Sequence, residues 1–141
     1  MDPFLDFAGT SIVEAGPRQA VARQKAATEL ENHAGVRHAG ALFAVGYAAS
    51  RALVVAALGP DAEAAELRVV ESEVEFTKAA SGGITATAEP VGDWESTISG
   101  LFGGGEGELR SSVQLRSEEG RIVTSMTVCW GVEMAPPAKS S

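Results

Sequence analysis

The side chains equipped for chemistry crowd into two stretches of this sequence. The first runs from Asn32 through Gly35, Arg37 and His38 to Ala39 and Gly40, and leads into an apolar run that stops at Gly59-Pro60. The second runs from Lys78 to Ser81, Gly82 and Gly83. A carboxamide, an imidazole and two small residues at a helix start suit the polarisation of a carbonyl. The first turn of a helix has N–H groups without intrahelical acceptors and carries the positive end of the dipole. Small residues at Ala39 and Gly40 let a ligand reach that backbone, and such donors stabilise negative charge developing on an oxygen. Asn32 would orient a carbonyl or a water, and His38 would cap the helix or face the ligand. Each feature also has a plainer use: His38 as a structural cap, Ala39 and Gly40 as close-packing positions. Only their joint spacing with Asn32 and Gly35 turns the reading towards a site. In the second stretch, a lysine beside a Gly-rich turn offers charge and backbone donors to a phosphate. Arg37 and Arg51 are alternative cations, and a lone strand lysine is otherwise simply solvated.

The helix that must present the first stretch is the apolar run itself. From His38 onward only Tyr47, Ser50 and Arg51 bring hydrogen-bonding side chains before Gly59. A helix apolar almost all round is buried on most faces. Its length also meets the requirement for a membrane span, but Arg51 in mid-run and the high Ala and Gly content favour a core helix wrapped by the rest of the chain. Gly59-Pro60 is the expected stop.

Composition narrows the alternatives. The chain has 141 residues, 45% hydrophobic and 21% charged, which suits one domain with its own core. We place that domain at 1–134, followed by a polar, Pro-containing tail at 135–141 expected to be disordered. A net charge of -8 argues against a nucleic-acid surface, which needs a clustered basic face. The single cysteine, Cys129, excludes an intrachain disulfide and a cysteine-rich zinc site, and its apolar surroundings predict an inert buried thiol. No metal or resident cofactor is expected. An acidic N-terminus without an apolar leader segment makes the cytoplasm the default location.

The remaining elements follow in order. Asp2-Pro3 opens a short helix through Ala8, and Ser11 to Ala15 reads as a strand. Gly16-Pro17 is a turn. Arg18 to Leu30 has helical composition, yet the preceding strand and Gly-Pro favour a hairpin, and the residues alone leave the choice even. Pro60 to Glu66 is an acidic connector. Leu67 to Ala79 alternates in its second half, with Val74 and Phe76 on one side. Ile84 to Glu89 returns as a strand. Asp93 caps a short helix reaching about Phe102, and Gly103 to Gly107 reads as a flexible break. Leu109 to Arg116 and Arg121 to Val132 form a hairpin across Ser117-Glu118-Glu119-Gly120. One long apolar helix with five to six antiparallel strands implies an α+β domain whose curved sheet wraps the helix.

That layout resembles the hot-dog fold, and the central stretch resembles the signature of phenylacetate-pathway (PaaI-like) acyl-CoA thioesterases, N-x-x-G-x-x-H-G-G-x-x-F-x-L-A-D. Asn32, Gly35, His38, Gly40 and Phe43 fall in register with it, Ala39 stands at the first Gly of the pair, and Val45 at the Leu. The segment EFTKAASGG is similar to the family's strand-turn, and the resemblance as a whole favours strand for the segment after Gly16-Pro17. The resemblance implies hydrolysis of an acyl thioester of coenzyme A, or of a phosphopantetheine arm on a carrier protein, with coenzyme A entering only as part of the substrate. It also implies edge-to-edge homodimers, with a homotetramer as the alternative, and a site between subunits. On this resemblance Asn32 and the Ala39 N–H hold the carbonyl, and His38 and Tyr47 shape the pocket. Gly40 admits the ligand, while Arg37, Lys78, Ser81, Gly82 and Gly83 meet the carrier's phosphates.

The sequence departs from the family at one position. Tyr47 stands where the family carries its catalytic carboxylate, nine residues after His38. A phenol is no general base near neutral pH unless its pKa falls far below about 10. It can still polarise a carbonyl, place a water or line a pocket. The alternative to hydrolysis is therefore an acyl-thioester or apolar-ligand binding protein. Hydration or dehydration of an enoyl chain ranks last, because that lineage's Asp-His helix signature is missing.

Overall fold

The computed structural model describes residues 9–25, 39–80, 82–101 and 104–134. The short helix expected over 3–8, residues 26–38 with the loop expected from Asn32, and the tail expected at 135–141 lie outside the described residues. Six strands form one antiparallel sheet: β1 (Thr10–Ala15), β2 (Ala20–Gln24), β3 (Ala65–Phe76), β4 (Ile84–Val91), β5 (Gly105–Arg116) and β6 (Ile122–Met134). The spatial order is β1-β2-β4-β5-β6-β3. The sheet curves around helix α1 (Ala39–Leu58), and a second short helix, α2 (Trp94–Ser99), follows β4. This is the α+β architecture that the apolar run implies.

By length and composition α1 would also pass for a membrane span, yet eleven of its twenty residues are buried inside the protein. It lies chiefly on β4 and β2. There the inward side chains are Ala20, Ala22, Ala86 and Ala88, all at 0% exposure. Ala20 pairs with Ala88 and Ala22 with Ala86 across the two strands. The helix-like composition of Arg18 to Leu30 thus has a different cause over β2. Alanine was chosen for small volume beneath a helix, and tertiary packing overrides intrinsic propensity.

Towards β5 and β6, side chains of the strands reach up to the helix backbone. A Cβ on Gly46 would fall on the Met126 Sδ and within 3.4 Å of the Leu115 Cδ1, so glycine is needed there for approach.

Several boundaries differ from the sequence reading, among them β3, expected over Leu67 to Ala79 and found at Ala65–Phe76. Gly103 to Gly107 was expected to be a break, but Gly105 and Gly107 are the start of β5, paired with Met134 and Val132. Gly107 faces inward, where a Cβ would meet Leu101 and Thr97 at 3.3 and 3.4 Å. The glycine makes room for α2 and the turn after it. That helix ends at Ser99, short of Phe102. Its expected cap is present: Asp93 accepts from the Ser96 N–H at 3.0 Å. The acidic connector is a 3-10 turn, Gly59–Ala64. β3 then runs the whole length of β6, with a bulge between Val69 and Glu71. The bulge breaks the alternation in its first half.

Replacing Gly46 with valine should lower unfolding free energy by about 2–3 kcal/mol, the usual cost of overpacking a filled core. Adding Met126→Ala should recover part of that loss, a non-additivity readable by urea denaturation.

Candidate functional site

Helix α1 starts at Ala39, and Ala39 and Gly40 are both exposed. A Cβ on Gly40 would meet no described residue within 4 Å. The amino end of the core helix therefore opens to space, while its next residues are buried. Gln24, at the end of β2, pins this first turn: its Nε2 donates to the Ala41 carbonyl at 2.8 Å. Gln24 is 1% exposed, and its Oε1 has no hydrogen-bond partner among the described residues.

A cleft of about 340 Å³ lies against this helix start, lined by Ala39, Leu42, Phe76, Thr77, Lys78 and Ala80. The structure thus brings Ala39 and Lys78, far apart in the chain, onto one cleft. Backbone bonds fix the Lys78 loop. The Thr77 and Lys78 N–H groups both donate to the Val123 carbonyl, at 3.0 and 3.2 Å. Asn32, Arg37, His38 and Ser81 lie outside the described residues.

The turn residues Gly82 and Gly83 are already engaged. The Gly83 N–H donates to Glu118 Oε1 at 3.0 Å, so the chain's own carboxylate meets the backbone considered for a phosphate. The sequence offered no signal for this contact, since Glu118 belongs to a different turn.

Tyr47 is half-buried on α1. Residues four apart share a helix face, so Ala39, Phe43 and Tyr47 lie in one row. Tyr47 stands about 12 Å beyond Ala39 at 1.5 Å rise per residue. Its ring stacks on Phe43 (centroids 6.4 Å apart) and tilts against Trp130 at 5.4 Å and 42°. Arg51 continues the row and is exposed, well removed from the Lys78 cleft by the same spacing.

Trp130 is held from the other side by a chain of polar bonds that sequence reasoning missed. Its Nε1–H donates to Ser50 Oγ at 2.7 Å. Ser50 and Ser111 share a bond of 2.6 Å, and Ser111 donates to the Val128 carbonyl at 3.4 Å. With the Ser111 proton used there, Ser50 donates to Ser111, and all three side chains are satisfied. Ser50, a polar residue one turn after Tyr47 in an apolar run, was the available signal.

Cys129 is buried as expected. Burial first, then the Glu108 carboxylate, push its thiol up from the ordinary value. A thiol held protonated is a poor nucleophile, so Cys129 is no candidate for the chemistry. Among the described residues no group of His, Cys, Asp and Glu is placed to hold a metal.

A family model described as a domain of unknown function (DUF4442) matches residues 1–132. No curated protein sequence matches the chain. Solved structures of similar shape include a Pseudomonas aeruginosa protein described as a probable thioesterase. It is 26% identical, with a TM-score of 0.75 over 95% of this chain and 89% of that one. A thioesterase enzyme of Staphylococcus aureus, solved as a glutamine-to-alanine variant, is 18% identical with a TM-score of 0.76, over 94% and 99% of the two chains. A hypothetical thioesterase of Streptococcus pneumoniae, solved with coenzyme A, is 19% identical with a TM-score of 0.70, over 90% and 88%. The fold of this chain is the hot-dog fold.

Ser50→Ala should cost about 1–3 kcal/mol, because it strands the buried Trp130 N–H. Ser111→Ala should cost less, since the Ser50 hydroxyl can turn back to a helix carbonyl. Thermal unfolding of the two variants, with near-ultraviolet circular dichroism on Trp130, checks the order.

Proposed function

The chain belongs to the DUF4442 family, and on that footing we propose that it hydrolyses acyl thioesters of coenzyme A or of a phosphopantetheine arm. The observation that carries the reading is the open amino end of α1, with Ala39 and Lys78 on one cleft. In this reading Asn32 and the Ala39 N–H hold the thioester oxygen as charge builds on it. Gly40 leaves room for the acyl group, and His38 lines the approach. Water adds to the carbonyl carbon, the C–S bond breaks, and the products are a carboxylate and a free thiol. Lys78, Ser81, Gly82, Gly83 and Arg37 face the carrier's phosphates. The coenzyme A in the S. pneumoniae structure supports a carrier of this class.

The packing of Tyr47 between Phe43 and Trp130 favours a second reading, in which the chain binds an acyl thioester without cleaving it. The ring fills space, and no hydrogen bond to its hydroxyl is seen among the described residues.

The strand β3 supports self-association into a homodimer. It is a twelve-residue edge strand, and Val69, Val70 and Phe76 on it are exposed. A long edge of this kind is normally covered. Light scattering should give twice the 14.5 kDa chain mass, or four times for a tetramer. A single-chain mass would remove a shared site.

The decisive assay is thiol release over a panel of acyl-CoAs, for wild type and Tyr47→Glu. Wild type should turn over slowly, and the introduced carboxylate should raise kcat by about a hundredfold, the lower end of general-base effects. Binding by calorimetry with no thiol release from either protein would establish the binding reading instead.

A further inference from the structure

Glu118 stands on the turn between β5 and β6 and reaches the separate turn that precedes β4. Its Oε1 accepts from the Gly83 N–H at 3.0 Å. A Cβ on Gly82 would lie 3.1 Å from Oε2, and one on Gly83 would lie 3.1 Å from Oε1. The carboxylate therefore lies over both glycines, in space that any side chain would fill. Gly82 has a φ of +76°, a conformation that favours glycine. Glu118 is itself exposed, so swinging into water costs it only the net worth of that hydrogen bond. A carboxylate seated on the peptide N–H of a glycine turn makes the contact that a phosphate oxygen would make. Lys78 lies at the start of the same loop, its backbone tied to Val123.

We propose that the Gly82-Gly83 turn is an anion seat, filled by Glu118 in the free chain and surrendered to a phosphate ester of the thioester carrier. The inference rests on the acyl-thioester reading and identifies the residue that sets carrier affinity. Glu118 acts as a tethered competitor. Whatever fraction of time it occupies the seat is lost to the ligand, and apparent affinity falls by that fraction. The vacated carboxylate also repels the arriving phosphate, so both effects weaken binding in the same direction.

Removing the competitor should tighten binding. Calorimetry with coenzyme A on wild type, Glu118→Gln and Glu118→Ala should show affinity rising about tenfold for alanine, the worth of one charge-assisted hydrogen bond. Glutamine, which keeps the acceptor without the charge, should fall between. In parallel, the Gly83 amide resonance of labelled protein should move on titration with coenzyme A and with inorganic pyrophosphate. Affinities within about twofold of wild type, or a Gly83 amide that stays put while coenzyme A binds, would overturn the seat and leave the thioester reading intact. If neither coenzyme A nor pyrophosphate binds any of the three proteins, both fall together.

Discussion

The close seating of α1 on the sheet is the constraint on which the rest of the molecule depends. A helix inside a curled sheet needs a shallow floor, and four alanines at full burial on β2 and β4 supply it. Gly46 does the same on the side of β5 and β6, where Met126 occupies the place of a side chain. Interiors are packed to crystal-like density, so lifting the helix by one methyl group would be felt on every strand. Small residues also hold the helix low enough that its amino end meets the loop after β3. The cleft at Ala39 and Lys78 is a by-product of that depth.

Depth alone does not settle rotation, because a helix of Ala, Val and Leu can slide or turn on an alanine floor. The bonds from Trp130 to Ser50 and on to Ser111 remove that freedom. Each hydroxyl and the indole N–H has a partner, so the buried network is not an energetic liability. Turning the helix would strand several groups at once. The Gln24 bond to the Ala41 carbonyl fixes the first turn in the same way. Rotation decides that Phe43 and Tyr47 share the face of Ala39, hence which side chains an acyl group at the helix end would encounter.

Much of this was legible in the residues, and the failures have physical causes. The long helix announced itself through an unbroken apolar run and its Gly-Pro stop. The β5–β6 hairpin was legible from an acidic-Gly turn between alternating stretches, and it forms with Gly120 at a φ of +81°. β2 was ambiguous because alanine reads as helical locally, while its use here is volume, a property of the helix lying above it. Gly105 and Gly107 read as a break because glycine signals flexibility. In the strand, Gly107 instead yields space to Leu101 and Thr97. The Ser50–Ser111–Trp130 chain and the Glu118–Gly83 contact join residues distant in sequence, and no spacing rule points to either. At the candidate site the position of Tyr47 was legible as a departure from a pattern, but its two aromatic neighbours were not, since Trp130 arrives from the last strand.

Charge arranges the approach to the helix end. On the outward face Glu66 is paired with Glu133, and Glu133 with Glu106, a lateral row of like charges on three adjacent strands. Such rows cost stability when directly opposed, and with a net charge of -8 they repel any polyanion from that face. The amino end of α1 carries the opposite sign through its dipole, and Lys78 lies beside it. On the proposed function, an anionic carrier would be turned away from the convex face and drawn to the cleft, a field effect that acts before contact. Farther along α1, away from the cleft lining, the apolar neighbours of Tyr47 set a second condition. A carboxylate there would be half-desolvated between two rings and its pKa would rise, whereas a phenol keeps its ring in contact and loses little. The position thus suits either an activated acid or an aromatic filler. In the proposed reading the polarising work falls to the helix backbone rather than to a charged side chain.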